Sequence, residues 1–89
     1  MNEKCLIISY ELSPQRNVGE LEAVIKSYGT WARINSATWA IVTYNSAVAV
    51  RDRLVQYLTP RDRIFVVKSG LEAAWRNVEC SNEWLKKNL

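Results

Sequence analysis

The sequence predicts an α+β fold in which four strands form one antiparallel sheet and two helices cover one of its faces. Three observations predict it. Four short stretches rich in β-branched and aromatic residues, Lys4 to Glu11, Thr30 to Ile34, Thr38 to Tyr44 and Arg63 to Lys68, have the length and composition of strands. Two stretches between them repeat apolar residues at helical spacing. The resulting order is βαββαβ, and right-handed crossovers interleave two such βαβ units into a single antiparallel sheet.

The first strand, Lys4 to Glu11, organises the rest. Leu6, Ile8 and Tyr10 point to one face, while Cys5 and Ile7 point to the other, followed there by Ser9 and Glu11. A strand apolar on both faces needs cover on both sides, so it belongs at the sheet centre. Ser13-Pro14 and Asn17 then mark a loop. Asn17 can cap a first helix, with Glu20 reaching back as in a capping box. Leu21, Val24, Ile25 and Tyr28 share one face of this helix, opposite Glu20, Glu22 and Lys26, and Gly29 ends it. Gly19 in the first turn costs up to about 1 kcal/mol relative to Ala, so packing must hold the helix.

Asn35-Ser36 breaks the next apolar stretch into a hairpin of strands two and three. In the third strand Trp39, Ile41 and Thr43 alternate with Ala40, Val42 and Tyr44. Ser46 caps a second helix with inner residues Ala47, Val50, Leu54, Tyr57 and Leu58; Arg53 and Gln56 face outward and Arg51 sits at the border. Thr59-Pro60-Arg61-Asp62 stops it. In the fourth strand Ile64, Phe65, Val66 and Val67 again fill both faces, and Ser69-Gly70 closes it. This is a ferredoxin-like arrangement over residues 1–70, followed by a C-terminal extension, 71–89. In the extension, Leu71, Ala74 and Trp75 are expected to form a helical turn, and Ser81 to cap a last turn carrying Trp84 and Leu85.

Two helices cover only one sheet face. A homodimer assembled on the other face is the economical cover for the apolar residues there; the alternative is a monomer whose own extension folds across it. At 89 residues the chain fits one domain, and a domain this small buries a modest share of its surface, so burial in a dimer would help.

Composition narrows the function classes. With 48% hydrophobic and 24% charged residues the chain is ordinary globular protein. No apolar run reaches membrane-spanning length, and the run after Lys4 is too short for a signal peptide, so a cytoplasmic location without a membrane partner is expected. Cys5 and Cys80 have no motif spacing and read as reduced structural thiols. A net charge of +3 permits nucleic-acid binding without demanding it. The absence of histidine excludes Ser-His and Cys-His nucleophilic catalysis within one chain. There is also no Gly-rich phosphate loop.

The first strand ending Tyr10-Glu11, the helix ending Ser27-Tyr28-Gly29, Ser36-Ala37-Thr38-Trp39 before an apolar strand, Arg51-Asp52-Arg53-Leu54, Asp62-Arg63-Ile64-Phe65-Val66 and the run Ser81 to Leu85 together resemble the SinR-like small proteins related to the CRISPR-associated Cas-two family. The VapD ribonucleases are more distant ferredoxin-like dimers of this kind. In the Cas-two family the first strand typically ends in Tyr-Asp, and that Asp is implicated in metal-dependent nuclease activity. The matching residue here is Glu11, which the resemblance makes the candidate catalytic residue and ligand for magnesium or manganese. Its extra methylene moves the carboxylate by about an ångström, whereas catalytic placement tolerates roughly half that. Two Glu11 carboxylates on a dimer axis would be the route to a shared metal.

Lys26, Arg33, Arg51 and Arg53 are the candidate phosphate contacts, with Arg61 and Arg63 beside them, and Tyr10, Trp31 and Trp39 could stack on bases. The plainer reading assigns these aromatics to the core and the cations to a solvated face interspersed with Asp52, Asp62 and Glu72. The sequence therefore points to a small dimeric Cas-two-like module associated with nucleic acid and without robust catalysis. The alternatives are a metal-dependent nuclease using paired Glu11 and a protein-binding adaptor from a mobile-element or host-defence setting.

Overall fold

The computed structural model describes residues 3–14, 18–70 and 72–89. Its elements are β1 (Lys4–Glu11), α1 (Gly19–Lys26), β2 (Thr30–Asn35), β3 (Thr38–Thr43), α2 (Ala47–Val55), β4 (Arg63–Lys68) and α3 (Asn82–Asn88). The strands form one four-stranded sheet in the order β2-β3-β1-β4, with each neighbouring pair antiparallel. β1 is therefore central, as its two apolar faces predict. Each of the crossovers β1-α1-β2 and β3-α2-β4 skips one strand, an α+β arrangement consistent with a ferredoxin-like fold. α3 is added beyond it.

Register explains the core. Ile8 lies opposite Trp39 on β3 and Val66 on β4, so with period-two alternation Leu6, Ile8, Tyr10, Trp39 and Ile41 share one sheet face. Leu21 and Ile25 of α1 and Val50 and Leu54 of α2 close over that face in one buried cluster. Trp39, Ile8, Ile25 and Leu54 are wholly inaccessible.

The helices begin as local chemistry allows. The Ser46 hydroxyl accepts from the Ala49 N–H at 3.1 Å and starts α2. α1 has no side-chain cap bond at Val18, and the cap expected at Asn17 lies outside the described residues. Its buried Leu21 and Ile25 hold it instead, and Gly29 at φ +90° turns the chain out. α2 ends at Val55, earlier than its apolar pattern suggests. Tyr57 follows in a turn and Leu58 just after it, and both still pack on the core. The Asp62 carboxylate then ties two loops together, accepting from the N–H groups of Thr59 and Ser13, each at 2.8 Å.

The extension runs back to the sheet. The Glu79 N–H donates to the Ile34 carbonyl at 2.9 Å, which brings the chain alongside β2. The Ser81 hydroxyl then caps α3 by accepting from the Trp84 N–H at 3.1 Å. Leu85 of α3 is 2% exposed and shares a groove with Ile7 and Val67 on the sheet face away from α1 and α2. The expected turn at Ala74 and Trp75 is not helical, and Leu71 lies outside the described residues. The reason is tertiary: the Trp75 indole N–H donates to the Asn82 side chain at 2.9 Å, and Asn77 turns through φ +59° before the chain joins β2. Phe65 and Val67 of β4, 63% and 41% exposed, remain open on the same sheet face.

Candidate nucleic-acid interface

Glu11 ends β1 opposite Arg63 on β4, and the two side chains form an ion pair at the solvated end of the sheet. That pairing follows from register, since a carboxylate at the last position of β1 meets the first residue of β4. The divalent metal implied by the resemblance needs several oxygen ligands. Within one chain the described residues do not supply them: Glu11 faces a guanidinium in an exposed pair, and no group of three or more His, Cys, Asp or Glu residues suited to a metal occurs among the described residues. A single chain therefore offers one carboxylate and a competing cation.

The candidate phosphate contacts fall into two connected groups. Lys26, in the last turn of α1, places Nζ 5.2 Å from the Trp31 ring centroid and 5.8 Å from that of Trp39. Arg33 lies on the other side of the hairpin from Trp39, its register partner, with its guanidinium carbon 5.4 Å from that ring. Arg33 also pairs with Glu22 at 3.7 Å and Glu79 at 3.9 Å. On α2, Arg53 donates to the Ser27 hydroxyl at 3.1 Å and covers the Tyr28 ring at 4.9 Å. The segment Lys26 to Tyr28 thus joins Arg53 to the Lys26 and Arg33 pair. Arg51 stands apart, exposed and bonded to its neighbour Asp52. Lys26, Arg51 and Arg53 are exposed, and exposed contacts of this kind contribute little to stability, so these cations can exchange carboxylate or ring partners for phosphate; Arg33 is half-buried, and its partner Glu22 is 19% exposed.

The aromatic candidates separate. Trp39 is wholly buried and Tyr10 is 7% exposed; the Trp39 indole N–H donates to the Tyr10 hydroxyl at 3.1 Å. Neither presents a face to a base, which overturns the stacking role for both. Trp31 is 38% exposed and tilts against Trp39 at 5.4 Å. Sequence reasoning missed Glu79 and Trp84 as neighbours of this region. Both line a cavity with Trp31 and Arg33, and no periodicity in the sequence signals it, because the backbone bond between Glu79 and Ile34 sets the path of the extension.

Burial pushes the Tyr10 phenol above its ordinary 10.0, partly offset by the Trp39 hydrogen bond; the nearby Glu22 adds to the rise and Arg33 opposes it. Burial likewise pushes the Cys5 thiol above 9.0, against a smaller effect of the Ser69 hydrogen bond. Both groups are neutral in the folded chain where the unfolded chain has begun to ionise. Their contribution is complete below about pH 9 and is lost as pH rises through 9.0 and 10.0 toward the raised folded values. Urea unfolding should show stability falling as pH rises from about 9 through 10, and falling less in Tyr10→Phe and Cys5→Ala. Equal losses in wild type and both variants would contradict the assignment.

No family model, curated protein or solved structure matches the chain. Among the described residues no helix is long and apolar enough to cross a membrane.

Proposed function

We propose that the chain is a small, ferredoxin-like, dimeric module of the Cas-two type that associates with nucleic acid and carries no robust catalysis of its own. The observation that supports this reading best is the gathering of Lys26, Arg33 and Arg53 around one helix end and the β2-β3 hairpin, each held beside an aromatic ring. Such a cluster offers cationic contacts to a phosphate backbone and a partly open indole, Trp31, to a base. Phe65 and Val67 supply the apolar surface for a second copy. A dimer doubles the available phosphate contacts and steepens the salt dependence of binding accordingly. The nuclease reading is less favoured, because no group of three or more potential metal ligands gathers around Glu11 among the described residues of one chain.

Sedimentation of the full chain at tens of micromolar, together with fluorescence anisotropy of labelled oligonucleotides, tests both parts. A dimer is expected in wild type and a monomer in Phe65→Asp, whose exposed site leaves the fold intact. Oligonucleotide affinity should fall linearly with the logarithm of salt, and Arg53→Gln should reduce the slope by about 1 for each phosphate that the guanidinium neutralises in wild type. A wild-type monomer would remove the dimer. Failure to bind any oligonucleotide at low salt would move the assignment to the protein-binding adaptor.

A further inference from the structure

We propose that the cavity at the outer edge of β2 holds a single unpaired nucleotide, its base against the indoles of Trp31 and Trp84 and its phosphate toward Arg33. This rests on the nucleic-acid reading above and assigns it a site. The cavity, of about 290 Å³, lies between β2 and the start of α3, with Trp31 contributed by the strand and Trp84 by the helix. Its volume of about 290 Å³ lies just below the roughly 300–1,000 Å³ of small-ligand pockets, which limits it to one nucleotide at most. Two indoles on separate elements offer π surface to any base, and stacking of this kind tolerates every sequence.

Arg33 supplies the second observation. Its Nε is buried and has no hydrogen-bond partner among the described residues; Glu79 Oε1 is 3.9 Å away, beyond bonding reach. That Nε is closed to solvent, so a phosphate in the cavity would meet the remaining N–H groups of the guanidinium, whose side chain is 38% exposed. Lys26 Nζ, 5.2 Å from the Trp31 ring, adds positive charge beside the same indole. Glu79, about half exposed, can accept from a base amino group. In a duplex both faces of each base are already stacked, so the cavity selects single strands or free nucleotides.

The test is tryptophan fluorescence of the full chain titrated separately with a mononucleotide, a single-stranded oligonucleotide of about 12 residues and the matching duplex. Quenching by the single strand and not by the duplex is expected, with Trp84→Leu weakening single-strand binding about tenfold or more and Trp84→Phe retaining most of it. The mononucleotide arm separates the sources: quenching by it alone identifies a free nucleotide, and stronger quenching by the oligonucleotide identifies a strand. A parallel readout needs no substitution. Cys80 also lines the cavity, so the single strand should slow its alkylation in wild type, with buried Cys5 as internal reference. Single-strand and duplex affinities that are equal and unchanged in Trp84→Leu, with no protection of Cys80, would overturn the site while leaving nucleic-acid association standing. No binding of any of the three at low salt would overturn both.

Discussion

Trp39→Ala is expected to lower the free energy of unfolding by about 3–5 kcal/mol, the range for truncating a large buried aromatic. Trp39 is wholly inaccessible and sits opposite Ile8 in the central strand, so no rearrangement short of moving a helix refills its volume. A domain of this length holds roughly 4–13 kcal/mol in total. The variant should therefore lose a large share of that total, and unfold outright if the total lies at the lower end of the range. Its polar edge adds a separate effect: Tyr10→Phe removes the acceptor of the Trp39 indole N–H and leaves a buried donor unsatisfied, at about 1–3 kcal/mol. Replacing both partners, Tyr10→Phe with Trp39→Phe, should cost less than the sum of the single changes. Ile8→Ala, on the same face, should cost about 2–5 kcal/mol. Chemical denaturation measures all of these. A cost below about 0.5 kcal/mol at Ile8 or Trp39, typical of exposed sites, would contradict the central placement of β1.

Deleting the residues after Gly70 is the second large effect. The extension brings Leu85 to 2% exposure and lines with it the groove above Ile7, Ile34 and Val67. Without it, this apolar surface joins Phe65, already 63% exposed, in one open patch on the second sheet face. The truncated chain should bind a hydrophobic dye, aggregate at micromolar concentration and unfold at lower temperature. Leu85→Ala alone should reproduce part of the loss, about 2–5 kcal/mol. A truncated chain that stays monomeric and melts as the full chain does would show that the extension contributes no cover.

The strands and the central position of β1 are legible in the sequence because apolar residues at successive positions leave continuous runs such as Leu6 to Ile8 and Ile64 to Val67, although in the second of these Phe65 and Val67 stay exposed. The cap of α2 is legible because Ser46 acts on its own first turn. What depends on contacts distant in sequence is not. The chain after α2 is tied by the Asp62 carboxylate to Ser13, 49 residues away, and the extension after Trp75 is tied to β2 by the bond from Glu79 to Ile34. Among the site candidates, Lys26, Arg33 and Arg53 are brought near one another, but Tyr10 and Trp39 are turned inward because their strand parity places them under α1 and α2. The Glu11 and Arg63 pair follows from register, which composition alone does not set. Sequence patterning leaves the cover of the second face open between a partner and the extension; Leu85 and Trp75 take part of it, and Phe65 with Val67 are what a partner would find.

The central claim is association with nucleic acid without metal-dependent cleavage. One measurement meets it most directly: labelled single-stranded and duplex oligonucleotides incubated with the full chain at low salt, in magnesium or manganese and in chelator, and resolved on native and denaturing gels. Retardation of intact oligonucleotide is expected, the same in chelator and in metal and unchanged in Glu11→Gln. Absence of retardation, or metal-dependent cleavage by wild type that Glu11→Gln abolishes, would contradict it.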